Sequence, residues 1–167
     1  MQTETKIPNF EIRPATEADV ALILAFVKEL AEYERLSHEV VATEDLLRES
    51  LFGERQYAEA VIGYYGETPV GFALYFHNFS TFLGRCGLYL EDLYVKPEFR
   101  NRGFGGALLM YVAKVAKERN CGRFEWSVLD WNEPAIQFYK NLGAVPLDEW
   151  SIYRVTGEAL DNLATKD

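Results

Sequence analysis

The stretch that decides the fold reads LYLEDLYV at residues 88–95, RNRGFGG at 100–106 and ALLMYVA at 107–113. It predicts a strand, a basic glycine-rich turn and a helix, in that order. Such a turn offers several backbone N–H groups, little side-chain bulk and the positive end of a helix dipole, which together suit a pyrophosphate. The glycines could also serve only to permit positive φ, so the flanking elements carry part of the inference.

Two familiar phosphate-binding motifs do not fit this turn. A nucleoside-triphosphate loop has Lys-Ser or Lys-Thr after its last glycine, whereas Ala107 and Leu108 follow here. A dinucleotide fingerprint needs a small residue three places after Gly105, where Leu108 stands. The pattern Arg-x-x-Gly-x-Gly at Arg100, Gly103 and Gly105 instead resembles the coenzyme A pyrophosphate loop of the GNAT acetyltransferases.

The composition is that of a compact globular domain. The chain has 167 residues, with 49% hydrophobic and 14% aromatic residues, which argues against disorder. This length predicts a single domain over 1–167, with a core at about 10–156 and short polar tails. The longest apolar stretch, 20–27, is too short to span a bilayer, and residues 1–6 lack a signal-peptide core.

The cysteines and the net charge narrow the class of protein. Cys86 and Cys121 show no metal-ligand spacing, and they predict free thiols in a reducing cytoplasm and no bound metal. A net charge of −9 disfavours nucleic acid as a partner, because phosphate contacts need clustered Lys and Arg. The same charge favours a cationic substrate, although acidity also serves solubility.

Periodicity and turn residues predict eleven elements. The predicted strands are 10–13, 57–65, 70–76, 88–95, 124–129, 144–147 and 151–155. The predicted helices are one capped by Thr16 with Asp19 in a capping box, one from Thr43 to 51, and two at 107–119 and 133–142. The resulting order, β-α-α-β-β-β-α-β-α-β-β, predicts an α/β (α+β) domain with a mixed, strongly bent sheet flanked by helices. It is also the element order of the GNAT fold.

A second informative block reads VLDWNEPAIQFYKNLG at residues 128–143. It resembles the W-N-x-x-A-I-x-F-Y-x-x-x-G pattern that ends the acetyl-coenzyme A site of GNAT enzymes. Asn132 and Tyr139 are two helical turns apart and share one face, about 10.5 Å from each other along the axis. Asn132 could also act as an N-cap, and Phe138 and Tyr139 could be core aromatic residues.

Amide formation from a thioester sets the chemical demands. The amine must lose a proton, the oxyanion needs hydrogen-bond donors, and the departing thiolate is helped by a proton donor. The chain has only His38 and His77, and no Ser-His-Asp or Cys-His arrangement is evident. These features favour direct transfer in a ternary complex over a covalent acyl-enzyme.

The predicted strand 88–95 carries two candidate carboxylates. Glu91 and Asp92 are adjacent, so their side chains point to opposite faces unless a bulge intervenes. A carboxylate inside an apolar strand is costly to bury without purpose. We expect Glu91 to face the cleft and to act through a water, and the backbone at Leu93 and Val95 to meet the pantetheine arm.

Four blocks, at 12–16, 28–34, 89–92 and 131–134, together resemble the diamine (spermidine/spermine) acetyltransferase family, including its thialysine-acetylating branch. The resemblance implies a homodimeric, cytoplasmic enzyme that transfers an acetyl group from acetyl-coenzyme A to a small primary amine. It implies Tyr139 as general acid and Glu91 as the group that deprotonates or holds the amine.

The same resemblance assigns the binding residues. It implies that the substrate channel is lined by Tyr33, Glu34, Glu91, Asp92, Glu125, Trp126 and Ser127, and Asp148 or Glu149, just before Trp150, could close it. It implies that acetyl-coenzyme A is held by Leu93, Tyr94, Val95, Arg100, Asn101, Arg102, Gly103, Phe104, Gly105, Gly106, Asn132, Glu133, Pro134 and Ala135. The acidic run around Glu34 could also be a solvated helix face. The sequence departs from that of the polyamine enzymes at 76–86 and near Asp148, which leaves the identity of the amine substrate open.

Two other functions fit parts of the pattern. Acetylation of a protein lysine or N-terminus would need an open groove in place of an acid-lined channel. A non-catalytic acyl-coenzyme A-binding module would predict loss of the tyrosine or of the strand carboxylate, yet Tyr139 and Glu91 are both present.

Overall fold

The computed structural model of the chain describes residues 3–166. Its contacts form two compact units, one ending at Leu129 and one beginning at Asp130. The first unit contains a six-stranded sheet in the order β1 to β6: Thr3–Glu4, Phe10–Pro14, Glu59–Tyr65, Thr68–Ser80, Arg85–Val95 and Phe124–Trp126. Neighbouring strands are antiparallel except β5 and β6, which are parallel.

Three helices of the first unit pack on this sheet: α1 at Val20–Tyr33, α2 at Glu44–Phe52 and α3 at Phe104–Glu118. The predicted mixed sheet flanked by helices is therefore confirmed. The strand pair β4–β5 is longer than predicted, because it continues through residues 77–80 and 85–87. In contrast, β6 stops at Trp126, three residues before the predicted end. Strand β1 was not predicted.

Each face of the sheet has its own apolar core. On one face the strands pack against α1 and α2, with a core of Ile23, Phe26, Leu30, Leu51, Ala60, Ile62, Phe72, Leu74 and Tyr94. On the other face they pack against α3, where the rings of Phe10 and Phe104 stack with centroids 4.3 Å apart. We call these the α1 face and the α3 face.

The first two helices begin at the predicted caps. The backbone N–H of Thr16 donates to Asp19 Oδ2 at 2.7 Å, which completes the capping box ahead of α1. Thr43 Oγ1 accepts a hydrogen bond from the N–H of Leu46 at the start of α2. Caps of this kind satisfy N–H groups that a helix leaves without intrahelical partners.

A bulge interrupts the pairing of β4 and β5 at Glu91. Leu74 lies opposite Asp92 while Tyr75 lies opposite Leu90, so Glu91 is an extra residue in β5. Because Leu74 and Tyr75 point to opposite faces, Leu90 and Asp92 also lie on opposite faces although they are two residues apart. Leu74 belongs to the α1 core, and Asp92 therefore points to the α1 face.

The second unit consists of α4 at Glu133–Asn141, an irregular stretch and α5 at Gly157–Ala164. The strands predicted at 144–147 and 151–155 are wrong, since both segments are irregular. Alternation of apolar and polar residues gives a segment an apolar side, but it does not provide a second strand to pair with. Pro146 also lacks the backbone N–H that a β-sheet hydrogen-bond ladder needs. The polar tail predicted after residue 156 instead contains α5. None of the helices between residues 3 and 166 combines the length and apolarity that crossing a bilayer requires.

Candidate active site

The last residues of β5 expose one edge of their backbone. The parallel pairing with β6 ends at Leu90 and Trp126, and within the described part of the chain no strand pairs with that edge of β5 beyond this point. The N–H of Lys96 donates to Val70 on the β4 side. Since backbone groups alternate along a strand, those of Leu93 and Val95 point to the open edge. Their predicted contact with the pantetheine arm stays a prediction.

The glycine-rich turn leads directly into α3. Gly103 is the N-cap of that helix and has φ +82°, and Asn101 has φ +60°. Both lie in the left-handed region, which Gly and Asn adopt at least cost. The N–H groups of Phe104, Gly105 and Gly106 occupy the first turn, where a helix leaves donors without intrahelical acceptors. The turn therefore has the donors and the dipole expected of an anion site.

Gly105 leaves room beside the end of β5. A Cβ built on Gly105 would lie 3.7 Å from Val95 Cγ2, which is an ordinary van der Waals contact. The same atom on Gly103 would come within 3.3 Å of Ile7 Cδ1 and would require strained backbone. The positive φ of the backbone therefore favours glycine at Gly103, whereas protein contacts alone do not require glycine at Gly105.

Arg100 connects the turn to the end of α1. Its Nε donates to the carbonyl of Val95 at 2.9 Å, and its guanidinium lies 4.7 Å from the centroid of the Tyr33 ring. The Tyr94 ring lies 5.6 Å from the same guanidinium, and its hydroxyl donates to Glu29. Cation–π contact of this kind orients a guanidinium while it retains its charge. The candidate phosphate-binding arginine and the candidate substrate-channel residue Tyr33 are therefore neighbours.

Arg102, the other basic residue of the turn, is held by aromatic rings. Its guanidinium lies 4.3 Å from the centroid of Tyr65 and 5.1 Å from that of Phe104. The turn thus carries two arginines whose guanidinium groups lie against aromatic rings.

The structure brings three of the predicted carboxylates together on the α1 face. Glu34 follows the last turn of α1, and its N–H donates to the carbonyl of Leu30. Glu91 is the exposed extra residue of the bulge, and Asp92 is half-buried beside it. Their charges interact: besides burial, Glu91 raises the pKa of Glu34, and Glu91 and Glu34 both raise the pKa of Asp92. We call Glu34, Glu91 and Asp92 the acidic cluster.

Burial dominates the ionisation of Asp92. Removal from water, together with the charges of Glu91 and Glu34, raises the pKa of Asp92 to about 7. Burial is also the main cause that raises the pKa of Glu34. A carboxyl that titrates near neutral pH can accept a proton there, whereas one with an ordinary pKa is a weaker base. Such shifted carboxyls gather at functional sites.

Sequence reasoning placed Asp92 among the substrate residues and did not single it out as a candidate base. The available signal was its position in an otherwise apolar strand. What was missing is the phase of the strand, because the bulge decides which of two adjacent carboxylates is turned toward α1.

The remaining predicted substrate residues of the first unit lie on β6 and just after it. Glu125 carries an ion pair to Arg123 at 3.4 Å and accepts a hydrogen bond from Asn78 Nδ2 at 3.2 Å. Trp126 packs against Phe124, and Ser127 Oγ lies 2.6 Å from the hydroxyl of Tyr89. These contacts fasten β6 to β4 and β5, and the carboxylate of Glu125 already has partners there.

In the second unit, the predicted helix and both of its caps are present. Asn132 is the N-cap of α4, and its side chain accepts from the N–H of Ala135 at 3.4 Å. Gly143 has φ +87° and ends the helix with two closing bonds, from its own N–H to Lys140 and from that of Ala144 to Tyr139. Asn132 and Tyr139 occupy one face of α4 by helical spacing.

The other predicted residues of this unit lie in α4 or in a later turn. Glu133 and Pro134 lie in its first turn, and the ring of Tyr139 is 5.5 Å from that of Phe138. Asp148 lies in an exposed turn that the hydrogen bond from Trp150 N–H to Leu147 closes.

Comparison with known proteins defines the class. The model of the acetyltransferase (GNAT) family matches residues 24–144. The chain therefore belongs to the GNAT acetyltransferases and is an enzyme that transfers an acetyl group from acetyl-coenzyme A to an amine.

Individual relatives place it more closely. The chain is 42% identical to a thialysine N-epsilon-acetyltransferase of Sus scrofa, over 93% of this chain and 97% of that protein. It is 30% identical to spermidine/spermine N(1)-acetyltransferase-like protein 1 of Homo sapiens, over 98% of this chain and 25% of that protein. Among solved structures, an integron cassette protein of V. cholerae matches with a TM-score of 0.79 and 27% identity, over 95% of this chain and 99% of that one. The predicted family resemblance is confirmed.

Proposed function

We propose that this enzyme acetylates a primary amine on a small substrate that carries a second cationic group, either a polyamine or diamine, or a thialysine- or lysine-like amino acid. One observation carries the proposal: Glu34, Glu91 and Asp92 lie within electrostatic range of one another at the end of α1. Three carboxylates held together by the fold raise each other's free energy, and a cation relieves that repulsion. The names of the two curated relatives support the same substrate class.

Within this proposal, the acidic cluster both binds and deprotonates. Glu34 holds the distant ammonium group. Glu91 receives the proton of the reacting amine through a water, and Asp92, whose pKa is about 7, is a second acceptor at neutral pH. Tyr139 donates the proton that the departing thiolate takes up. The acetyl group passes directly to the amine in a ternary complex, so the protein forms no acyl-enzyme.

The residues present fit acetyl-coenzyme A. The open edge at Leu93 and Val95 offers N–H and C=O groups of the spacing that an extended amide chain can pair with. The first turn of α3 and the two arginines of the turn offer the donors and charge that a pyrophosphate needs. When bound, the co-substrate supplies the acetyl thioester. We propose that Tyr94, Asn101 to Gly106 and Asn132 to Ala135 complete its site, and that the transfer uses no metal.

The decisive experiment compares two amines of equal length in Glu34→Gln. The assay measures steady-state acetylation of 1,5-diaminopentane and of pentylamine, with Glu32→Gln as matched control, since Glu32 is an exposed residue of the same helix. We expect KM for the diamine to rise about tenfold in Glu34→Gln, because a charge pair near a protein surface is worth about 1–4 kcal/mol and tenfold corresponds to about 1.4 kcal/mol.

The controls distinguish loss of recognition of the second ammonium group from a general loss of activity or fold. KM for acetyl-coenzyme A and for pentylamine should stay at the parent value in Glu34→Gln, and Glu32→Gln should behave as the parent for both amines. Added salt should reproduce part of the diamine effect in the parent by screening. Equal losses for the diamine and the monoamine would show that Glu34 does not read a second charge, and the substrate proposal would fail.

We also propose that residues 1–167 act as one acetyltransferase domain, as a homodimer and in the cytoplasm. The family match supports the first point because residues 24–144 include parts of both compact units. The unbonded thiols of Cys86 and Cys121 support a reducing compartment. Light scattering coupled to size-exclusion chromatography measures the molar mass and so tests the dimer. Expression of a tagged full-length chain tests the cellular location.

A further inference from the structure

We propose that His77, Cys86 and Cys121 form a binding site for one Zn²⁺ ion, separate from the acidic cluster. These three side chains come from different parts of the chain: His77 from β4, Cys86 from β5 and Cys121 from the turn after α3. The candidate ligand atoms all lie within 4.8 Å of one another, and the two sulfur atoms are 3.2 Å apart. Two thiolates and an imidazole are the donors that zinc prefers.

The strand register explains why these side chains meet. His77 lies opposite Leu88, and Cys86 lies opposite Phe79. His77 and Cys86 are therefore diagonal neighbours on one face of the β4–β5 pair. The N–H of Gly122 donates to the carbonyl of Cys86 at 2.8 Å, which fixes the turn that carries Cys121 beside β5. Backbone hydrogen bonds thus hold all three ligand positions.

The spacing is close to what a tetrahedral ion requires. With Zn–S of about 2.3 Å and Zn–N of about 2.0 Å, two sulfurs lie about 3.8 Å apart and sulfur and nitrogen about 3.5 Å apart. The observed separations, from 3.2 Å between the sulfurs to at most 4.8 Å, bracket these values. Rotation of side chains alone can therefore complete the set, and a water would take the fourth position.

Arg119, a basic residue close to the site, has an acidic partner of its own. Its carbonyl accepts a weak hydrogen bond from Cys86, while its guanidinium is directed to Glu59, with which it forms two hydrogen bonds. Zinc takes cysteine as thiolate, so any thiol protons would leave on binding.

The site lies apart from the chemistry of acetyl transfer. His77 shares its face with Tyr75, and the bulge separates that face from the one that carries Asp92. Cys86 precedes Glu91 by five residues, about 17 Å along the strand. A zinc ion at this place would tie β4 and β5 to the end of α3.

Zinc binding is tested directly on the reduced full-length chain. Metal-free protein is titrated with ZnCl₂ against a chromophoric chelator, and Co²⁺ serves as a spectroscopic probe. We expect one equivalent of zinc, a thiolate-to-Co²⁺ charge-transfer band and the visible bands of a tetrahedral ion. Cys121→Ser and His77→Ala should weaken zinc by more than about tenfold, since even outer-shell changes cost about 10–100-fold. His38→Ala, at the other histidine, should bind as the parent.

Acetyltransferase activity retained in His77→Ala, at an exposed position, would show that the variant still folds. The zinc titration itself needs no amine substrate, so its outcome is separate from that of the proposed function. The proposal is overturned if the reduced parent fails to hold zinc against the chelator. It is also overturned if His77→Ala holds zinc as tightly as the parent, or if the Co²⁺ complex lacks the thiolate band.

Discussion

Asp92→Asn should stabilise the folded protein at alkaline pH while it impairs acetylation. In the folded chain, burial raises the pKa of Asp92 from its ordinary value of 3.8 to about 7. The folded state therefore binds a proton that the unfolded state has released between these values. The contribution of Asp92 to stability is complete below about pH 4 and is lost as the pH rises through 7.

The interval between the two pKa values sets the magnitude. At about 1.4 kcal/mol per pH unit, the stability lost across this interval is about 4 kcal/mol. About 3 kcal/mol of that loss falls between pH 5 and pH 8. Asparagine has the same shape and does not ionise. The free energy of unfolding of Asp92→Asn, relative to the parent, should therefore rise by up to about 3 kcal/mol from pH 5 to pH 8.

Urea unfolding at pH 5, 6, 7 and 8 measures this difference, and Asp161→Asn, at an exposed position of α5, is the matched control. Its difference from the parent should stay within about 0.5 kcal/mol throughout. A pH-independent difference for Asp92→Asn would refute the reasoning, because it would mean that the folded protein does not penalise the charge of Asp92. Loss of amine acetylation in the same variant would show stability given up for function.

Two further variants probe the co-substrate and the proton donor. Gly105→Ala should raise KM for acetyl-coenzyme A and leave KM for the amine unchanged, because Gly105 lies in the first turn of α3, whose N–H groups are the proposed pyrophosphate donors. The new methyl group makes only an ordinary contact with Val95, so the unfolding midpoint should not fall. Unchanged affinity by calorimetric titration would place the pyrophosphate elsewhere. Tyr139→Phe should lower kcat by about 10²–10⁴-fold, the usual worth of a general acid, with Tyr153→Phe, an exposed tyrosine, as control. Parent-like turnover of Tyr139→Phe at neutral and alkaline pH would assign the proton to another donor.

Local sequence signals predicted most of the elements that carry the candidate site. The glycine-rich turn, the caps at Thr16 and Thr43 and the start of α4 at Asn132 all depend on residues within one helical turn, so the pattern itself specifies them. These features are legible in sequence because their partners are near neighbours.

Features that depend on distant partners were missed. The burial of Asp92 follows from the phase of β5 relative to β4, which only the bulge determines. The meeting of Cys86 and Cys121 joins residues 35 positions apart, and spacing along the chain gave no hint of it. The strands predicted at 144–147 and 151–155 failed for the same reason, because an alternating pattern does not reveal whether a second strand lies beside it.

The bulge at Glu91 adds a residue to β5 without changing which side chains enter either core. Leu88 and Leu90 are 0% and 2% exposed on the α3 face, while Asp92 and Tyr94 belong to the α1 face. Deleting Glu91 would make Leu90 and Asp92 adjacent, and regular alternation would keep each of them on the face that it now occupies. Evolution can therefore gain or lose the carboxylate at Glu91, as a residue or as a side chain, without repacking either face of the sheet.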